Sequence, residues 1–309
     1  MKTYTLPHTD RTVSSVVLGL MRIVKMSDAE VQALVGAARD GGINVFDHAD
    51  IYGGERHACE ARFGEAISFS AAERDQVFIQ SKAGIRPGSF DFSEEHILNS
   101  VDGSLKALRT DYLDLLLLHR PDTLVEPEEV ASAFDKLQAA GKVRHFGVSN
   151  QTPGQTELLK TAVKQPLVAN QVQLSITHAP LIAQGVAANM AGLDQSIDRD
   201  NGLLEYARIN KMMLQAWSPF QKGFFDGVFL GDRENFADLN DAIDDLAKQY
   251  GVTPTGIAVA WIVRHPANIQ VVLGTTTPSR VTDSAAGADV TLTRAEWYRL
   301  FTAAGHKLP

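Results

Sequence analysis

Short apolar runs recur along this chain and alternate with longer stretches whose apolar residues return at a helical period. The runs are rich in leucine or β-branched residues and carry few polar residues on either face. Strands of this kind are typical of a parallel sheet covered by helices, because a strand with one face in water would alternate apolar with polar residues. The eight runs span residues 16–18, 44–46, 77–79, 113–118, 145–148, 167–172, 212–216 and 269–273.

The stretches between the runs carry signals for the beginnings and ends of helices. Ser27 and Glu30 have the spacing of a capping box before an apolar helical face, and Gly41 follows that face as a stop. Pro127 stands at the first position of a later helical pattern, where the missing N–H is not needed. Thr277 precedes a proline and opens another helix. Strand and helix patterns therefore alternate along the chain.

Two α/β architectures fit such an alternation: an open doubly wound sheet and a closed (β/α)₈ TIM barrel. An open sheet that binds a dinucleotide would carry the G-x-G-x-x-G pattern after its first strand, and the sequence contains neither this pattern nor a Walker A motif. We therefore predict the barrel, as a single domain over residues 1–309. Segments 2–6 and 11–15 are predicted to form a short β-hairpin at its N-terminal end.

Charge and cysteine content exclude several classes of function. Lys and Arg number 29 against 37 Asp and Glu, a net charge of −8 that argues against a nucleic-acid or acidic-lipid partner. The single cysteine, Cys59, excludes an internal disulfide and a multi-cysteine metal site. Residues 1–10 lack the apolar core of a signal peptide, and no stretch is apolar enough to span a bilayer. We expect a cytoplasmic protein without a membrane partner.

The residue types that follow the strands indicate acid–base chemistry. Catalytic residues of barrels lie at the C-terminal strand ends, where this sequence places Asp47 and Tyr52, then Lys82, then His119. A lysine cation favours the phenolate form of a nearby tyrosine, and a carboxylate keeps a buried lysine charged. A histidine can donate a hydrogen bond to a carbonyl oxygen. The set suits proton exchange with a carbonyl or alcohol oxygen.

Several segments carry a specific family resemblance. Residues 42–53, with their five-residue spacing from Asp47 to Tyr52, resemble the signature of the aldo-keto reductase family. Segments 113–121 and 141–150 resemble the family's fourth and fifth strands, and Gln171, Trp217 and 274–280 follow in the family's order. The likeness is greatest to a bacterial group of NAD(P)H-dependent oxidoreductases.

The resemblance implies reduction of an aldehyde or ketone to an alcohol, or the reverse, by direct hydride transfer. Tyr52 would be the general acid/base, Lys82 would tune its pKa, Asp47 would pair with Lys82, and His119 would orient the substrate oxygen. The residues that the resemblance assigns to the cofactor are Gly19, Met21, Arg22, Asp47, Ser149, Asn150, Gln171, Trp217, Ser218, Pro219, Phe220, Gly274, Thr275, Thr276, Arg280, Asp283 and Ser284.

The implied cofactor is NADP(H), with NAD(H) as the alternative. Ser149, Asn150 and Gln171 would hold the nicotinamide carboxamide, and Trp217 would stack on the ring. Arg280 lies on the first turn of the helix opened by Thr277, from where a guanidinium can pair with a 2′-phosphate. No acidic residue stands between positions 274 and 280 to repel that phosphate.

Other readings of the same residues stay open at this point. A barrel of this kind can bind cofactor and report redox state to a partner, as potassium-channel β subunits do. A metal-dependent barrel hydrolase is also open, with ligands drawn from Asp47, His48, Asp50, His57 and His119. Loops 85–92, 121–126 and 220–235 are expected to line the substrate pocket. Their apolar residues suggest an apolar or aromatic carbonyl substrate: Ile85, Phe90, Phe92, Phe224, Phe225 and Phe229. The protein is expected to be a monomer.

Overall fold

All eight apolar runs form strands of one closed parallel barrel in the computed structural model, which describes residues 1–224 and 226–309. The strands are β1 (Thr3–Thr5), β2 (Thr12–Ser14), β3 (Val16–Gly19), β4 (Val45–Asp47), β5 (Phe78–Ala83), β6 (Ile85–Arg86), β7 (Ser89–Phe90), β8 (Leu113–Leu118), β9 (Val143–Ser149), β10 (Leu167–Gln173), β11 (Met213–Trp217) and β12 (Gln270–Leu273). The barrel order is β3-β4-β5-β8-β9-β10-β11-β12, and β12 closes on β3 with Leu273 opposite Leu18. The predicted (β/α)₈ TIM barrel is confirmed.

Helices connect the barrel strands, and those for which the sequence carries a start signal, such as the helices after Ser27 and Thr277 and the one at Pro127, begin at that signal. They are α1 (Asp28–Asp40), α2 (Ala58–Ala66), α3 (Ala71–Gln76), α4 (Glu94–Leu108), α5 (Pro127–Ala139), α6 (Pro153–Lys160), α7 (Pro180–Val186), α8 (Leu203–Ile209), α9 (Ala237–Tyr250), α10 (Pro254–Val263), α11 (Pro278–Gly287) and α12 (Arg294–Ala303). Ser27 and Glu30 form both bonds of the capping box at the start of α1, and Pro127 occupies the first turn of α5. None of the helices described is long and apolar enough to cross a membrane.

The predicted hairpin closes the N-terminal end of the barrel. Strands β1 and β2 pair antiparallel, each one residue shorter at both ends than the predicted segments. Tyr4, Leu6 and Val13 of the hairpin are buried against barrel residues such as Val17 and Met213. Apolar packing of this kind excludes water from one end, so the barrel opens to ligands at its other end.

Candidate active site

The C-terminal ends of the barrel strands open into a cavity of about 600 Å³. These ends all lie on the same side of a parallel barrel, so residues distant in sequence face one space. The cavity wall includes every residue predicted for the site except Lys82, Thr276 and Asp283. Lys82 lies beneath the wall, 1% exposed, and contacts two residues that do line the cavity.

Lys82 joins Asp47 to Tyr52 at the floor of the cavity. Its Nζ donates to both carboxylate oxygens of Asp47 at 2.7 Å and to the Tyr52 hydroxyl at 3.1 Å. Nζ also donates to the backbone carbonyl oxygen of His48, at 2.9 Å. Although burial lowers the pKa of Lys82, the charges and hydrogen bonds of Asp47 and Tyr52 raise it above its ordinary value overall. The ammonium is therefore held charged and pointed at the phenol.

A ladder of buried glutamines supports the Asp47 carboxylate from within the barrel. The amides of Gln80 and Gln171 both donate to Oδ1 of Asp47. Gln215 Nε2 donates to Oε1 of Gln80 at 2.9 Å and to Oε1 of Gln270 at 2.8 Å. These side chains fix the orientation of Asp47 through bonds that span the barrel interior. Of these glutamines, the sequence analysis assigns only Gln171 to the site. Gln80, Gln215 and Gln270 each lie in an otherwise largely apolar strand, which is the pattern that could have identified them.

The Tyr52 phenol is protonated in this environment. Burial raises its pKa, and the nearby Lys82 ammonium opposes that rise without cancelling it. The sequence predicts only that Lys82 lowers the pKa of Tyr52, because the burial that raises it depends on the folded structure. A protonated phenol in this position could donate a proton, because the neighbouring cation would stabilise the phenolate that remains.

His119 is the neutral partner of Tyr52 in the cavity wall. The two rings lie 5.9 Å apart, edge to face. Burial, reinforced by the positive charges of Lys82 and Arg120, holds the pKa of His119 well below its usual range. Nδ1 of His119 is buried without a partner among the described residues. A neutral imidazole of this kind can orient a substrate oxygen without competing as an acid.

One wall of the cavity combines amide, hydroxyl and indole groups. Asn150 Nδ2 donates to the Ser149 hydroxyl at 2.8 Å, and Trp217 Nε1 donates to Oδ1 of Asn150 at 3.0 Å. Asn150 follows β9 and Ser218 follows β11, both with left-handed backbone, φ 58° and 52°. These turns aim side chains from two strand ends at one space. A flat indole beside amide and hydroxyl groups fits a planar ring that carries a carboxamide.

The opposite end of the cavity suits phosphate groups. Arg22 Nη1 donates to the carbonyl oxygen of Gly274 at 3.0 Å and so bridges the segments after β3 and β12. A Cβ built on Gly274 would meet only that guanidinium, at 3.9 Å, so space remains open there. Arg280 stands exposed on the first turn of α11, where backbone N–H groups favour anions. Two arginines and a helix N-terminus at one end of a cavity are donors of the kind that bind phosphate.

The structure does not bring Thr276 and Asp283 into the cavity wall. Arg280 and Ser284, four residues apart, share the face of α11 that lines the cavity. The backbone oxygen of Asp283 lies against Gly256 of α10, on the side of α11 that packs on that helix.

The predicted aromatic wall is only partly present. Ile85 and Phe224 line the cavity, but Phe92 and Phe229 are buried in the core and Phe90 is exposed away from the cavity wall. Phe225 lies outside the described residues. The sequence does not distinguish these positions, because the residues around a loop phenylalanine look the same whether its side chain packs into the core or lines a pocket. Two further lining residues that the sequence did not single out are Ile51 and Thr255.

The candidate metal ligands have other contacts. His57 Nδ1 lies 2.6 Å from the Glu60 carboxylate, and the His48 ring packs edge-on against Phe63. Burial lowers the pKa of His48 to about 4. Among residues 1–224 and 226–309, no group of three or more His, Cys, Asp and Glu side chains is placed to hold a metal ion.

The buried carboxyl of Asp50, between Asp47 and Tyr52 in the sequence, makes the free energy of unfolding depend on pH. Burial raises the pKa of its carboxyl to about 6, although Arg56, with Nη2 3.5 Å away, opposes the rise. The ordinary value is 3.8, so between about pH 4 and 6 the folded state keeps a proton that the unfolded state has lost. This group therefore lowers the free energy of unfolding as pH rises through that window, by roughly 3 kcal/mol.

We expect Asp50→Asn to remove that contribution. Chemical denaturation at pH 4.5 and pH 7 should show the variant losing less stability than wild type as pH rises, by roughly 2 kcal/mol. Asp40→Asn, at the exposed end of α1, is the matched control and should follow the wild-type profile. An Asp50→Asn profile parallel to wild type would contradict the assignment.

The chain is similar to known proteins along nearly its whole length. The model of the Aldo/keto reductase family matches residues 15–303. The chain is 35% identical over 314 residues to an uncharacterized oxidoreductase, YcsN, of Bacillus subtilis, with 97% of each chain covered. It is 35% identical over 306 residues to a 6-dehydroglucose reductase of Agrobacterium fabrum, with 94% of each covered. An aldo-keto reductase from Klebsiella pneumoniae, solved in complex with NADPH, matches with a TM-score of 0.76 at 25% identity, over 100% of this chain and 98% of that one.

Proposed function

Because the chain belongs to the aldo/keto reductase family, we propose that it is an NADPH-dependent oxidoreductase that interconverts a carbonyl compound and its alcohol. One observation carries the proposal: a protonated Tyr52 hydroxyl at the cavity floor, 3.1 Å from an ammonium that is itself paired with a buried carboxylate. This arrangement delivers a proton to an oxygen that gains negative charge, which is what carbonyl reduction requires.

The cavity provides contacts for each part of NADPH. Ser149, Asn150 and Gln171 would bind the carboxamide, and Trp217 would lie along the nicotinamide ring. Arg22 and Arg280 would hold the phosphates at the other end. When bound, NADPH supplies the hydride that reduces the carbonyl carbon. The Klebsiella pneumoniae relative, solved with NADPH, supports this choice of cofactor.

Tyr52 acts as the general acid in the reducing direction. As the carbonyl carbon accepts hydride, the electrons of the C=O π bond move to oxygen, and the Tyr52 hydroxyl gives that oxygen its proton. The phenolate left behind is stabilised by Lys82, which Asp47 keeps charged. His119, neutral and beside Tyr52, donates a hydrogen bond that orients the substrate oxygen.

A panel of aldehydes and ketones, assayed by NADPH oxidation with and without a chelator, tests the proposal. We expect turnover that the chelator leaves unchanged. Loss of activity on chelation would favour a metal-dependent reaction. Tight NADPH binding with negligible turnover on every carbonyl would favour a redox sensor instead.

Arg280 should set the preference for NADPH over NADH. Its guanidinium has no hydrogen-bond or ion-pair partner among the described residues and stands at the phosphate end of the cavity. Hydrogen bonds to charged groups contribute roughly 1.5–3 kcal/mol, so Arg280→Ala should weaken NADPH binding about ten- to a hundredfold and leave NADH binding nearly unchanged.

Dissociation constants for both cofactors in wild type and variant measure this effect. Arg294→Ala, at the exposed start of α12, is the control and should change neither constant. An equal loss of affinity for both cofactors would show that Arg280 does not bind the 2′-phosphate.

A further inference from the structure

The cavity is electropositive although the protein is acidic. The chain carries a net charge of −8. Among the described residues that line the cavity, however, Asp47 is the one acidic residue, and Lys82 offsets its charge. Three arginines line the same wall: Arg22, Arg120 and Arg280. A cavity with this excess of cations attracts anionic ligands and concentrates them near the catalytic groups.

Arg120 occupies a different part of the cavity from the other two arginines. It follows His119 directly, and its guanidinium carbon lies 5.5 Å from the centroid of the Trp217 ring. Its positive charge acts on both Tyr52 and His119. Arg22 instead contacts Gly274, and Arg280 stands on α11, at the phosphate end. Arg120 therefore faces the space where the carbonyl is reduced.

The Arg120 guanidinium has unused hydrogen-bond donors. No carboxylate or carbonyl oxygen within the described ranges accepts a bond from it, and the group is half-buried. Two other arginines differ in this respect: Arg56, beside Asp50, bonds to Ser100, and Arg22, at the phosphate end, bonds to Gly274. A guanidinium presents its donors as a planar fork that matches a carboxylate or a phosphate, and its removal from bulk water strengthens such a pair.

We infer that Arg120 binds an anionic group of the substrate, so that the preferred substrates are aldehydes or ketones that also carry a carboxylate or phosphate. This inference rests on the proposed function and names its substrate class. It adds an anionic group to the expected apolar or aromatic carbonyl substrate, for which Phe92 and Phe229, buried in the core, provide no contacts. Arg120 is then a specificity-determining residue next to the catalytic pair.

Matched substrates that differ in charge test the inference. The carboxylate arm compares 4-oxobutanoate with its neutral methyl ester, and the phosphate arm compares glyceraldehyde 3-phosphate with glyceraldehyde. In wild type we expect kcat/KM to favour the anion at least about tenfold in one arm or both. In Arg120→Met the ratio of anion to neutral should fall by about ten- to a hundredfold, and Arg120→Lys should retain part of it. If Arg120→Met also slows the reduction step itself, it slows it for both substrates of a pair, so this effect cancels in the ratio of their kcat/KM values.

A wild-type ratio at or below unity in both arms, or a ratio that Arg120→Met leaves unchanged, would overturn the inference. NADPH affinity provides a further check, because an Arg120 that bound cofactor phosphate would lose NADPH affinity in Arg120→Met as Arg280→Ala does. That loss, without a change in the substrate ratio, would assign Arg120 to the cofactor.

Binding of succinate, measured by calorimetry, separates this inference from the proposed function because it needs no turnover. We expect the dissociation constant for succinate to rise at least about tenfold in Arg120→Met. If the protein reduces no aldehyde but binds succinate through Arg120, the proposed function fails and the anion site stands. If Arg120→Met leaves the dissociation constant for succinate unchanged, Arg120 does not bind the anion, whether or not the protein is a reductase.

Discussion

Replacing Tyr52 by Phe is expected to lower kcat for carbonyl reduction by at least about a hundredfold, the usual lower bound for losing a general acid. The substitution removes the hydroxyl that Lys82 contacts at 3.1 Å and keeps the ring that packs edge-on against His119. The loss should therefore appear in the chemical step. Steady-state kinetics on a reducible aldehyde, with NADPH binding measured in parallel, is the required experiment.

Two controls make the Tyr52 result specific. NADPH affinity should stay close to wild type, because the cofactor contacts proposed above, such as Asn150, Trp217 and Arg280, lie at other strand ends. Tyr298→Phe, on the exposed face of α12, removes a hydroxyl far from the cavity and should leave kcat unchanged. Near-normal turnover by Tyr52→Phe would show that another group supplies the proton.

Lys82→Met should lower both activity and stability. The variant leaves the Asp47 carboxylate buried, 2% exposed, without the ammonium that bonds both of its oxygens. Breaking a buried ion pair by removing one partner costs about 3–5 kcal/mol of unfolding free energy. Activity should fall as well, and the apparent pKa of the acid in the kcat profile should rise, because burial of Tyr52 is no longer opposed.

The double variant Asp47→Asn/Lys82→Met separates these two effects. It removes both charges, so denaturation should show part of the lost stability recovered, while kcat stays low because no ammonium faces Tyr52. If the double variant is as unstable as Lys82→Met, the stranded carboxylate is not the cause of the instability. A wild-type pH profile in Lys82→Met would show that Lys82 does not tune Tyr52.

The barrel and the positions of its catalytic candidates could be predicted because they depend on local pattern. Apolar runs such as 113–118 identify strands, and the parallel topology then brings the residues after them to one end. Asp47, Tyr52 and His119 line the cavity for this reason, with Lys82 directly beneath it.

Features that depend on packing across the barrel could not be predicted. Gln80 and Gln215 are 135 positions apart and bond only because the barrel closes around them. The net effect of burial on Tyr52 and Asp50 likewise depends on which neighbours exclude water. Arg120 was visible as the residue after His119, but its unused donors became apparent only once every neighbouring carboxylate had been placed.

Transfer of deuterium from NADPH that carries deuterium at both C4 positions of the nicotinamide tests the central claim most directly. The purified protein, a reducible aldehyde and the labelled cofactor are incubated, and mass spectrometry locates the label in the alcohol. The account predicts one deuterium on the former carbonyl carbon, with the hydroxyl proton coming from solvent through Tyr52. Alcohol formed without deuterium at that carbon, or the absence of alcohol across a broad carbonyl panel despite NADPH binding, would contradict it.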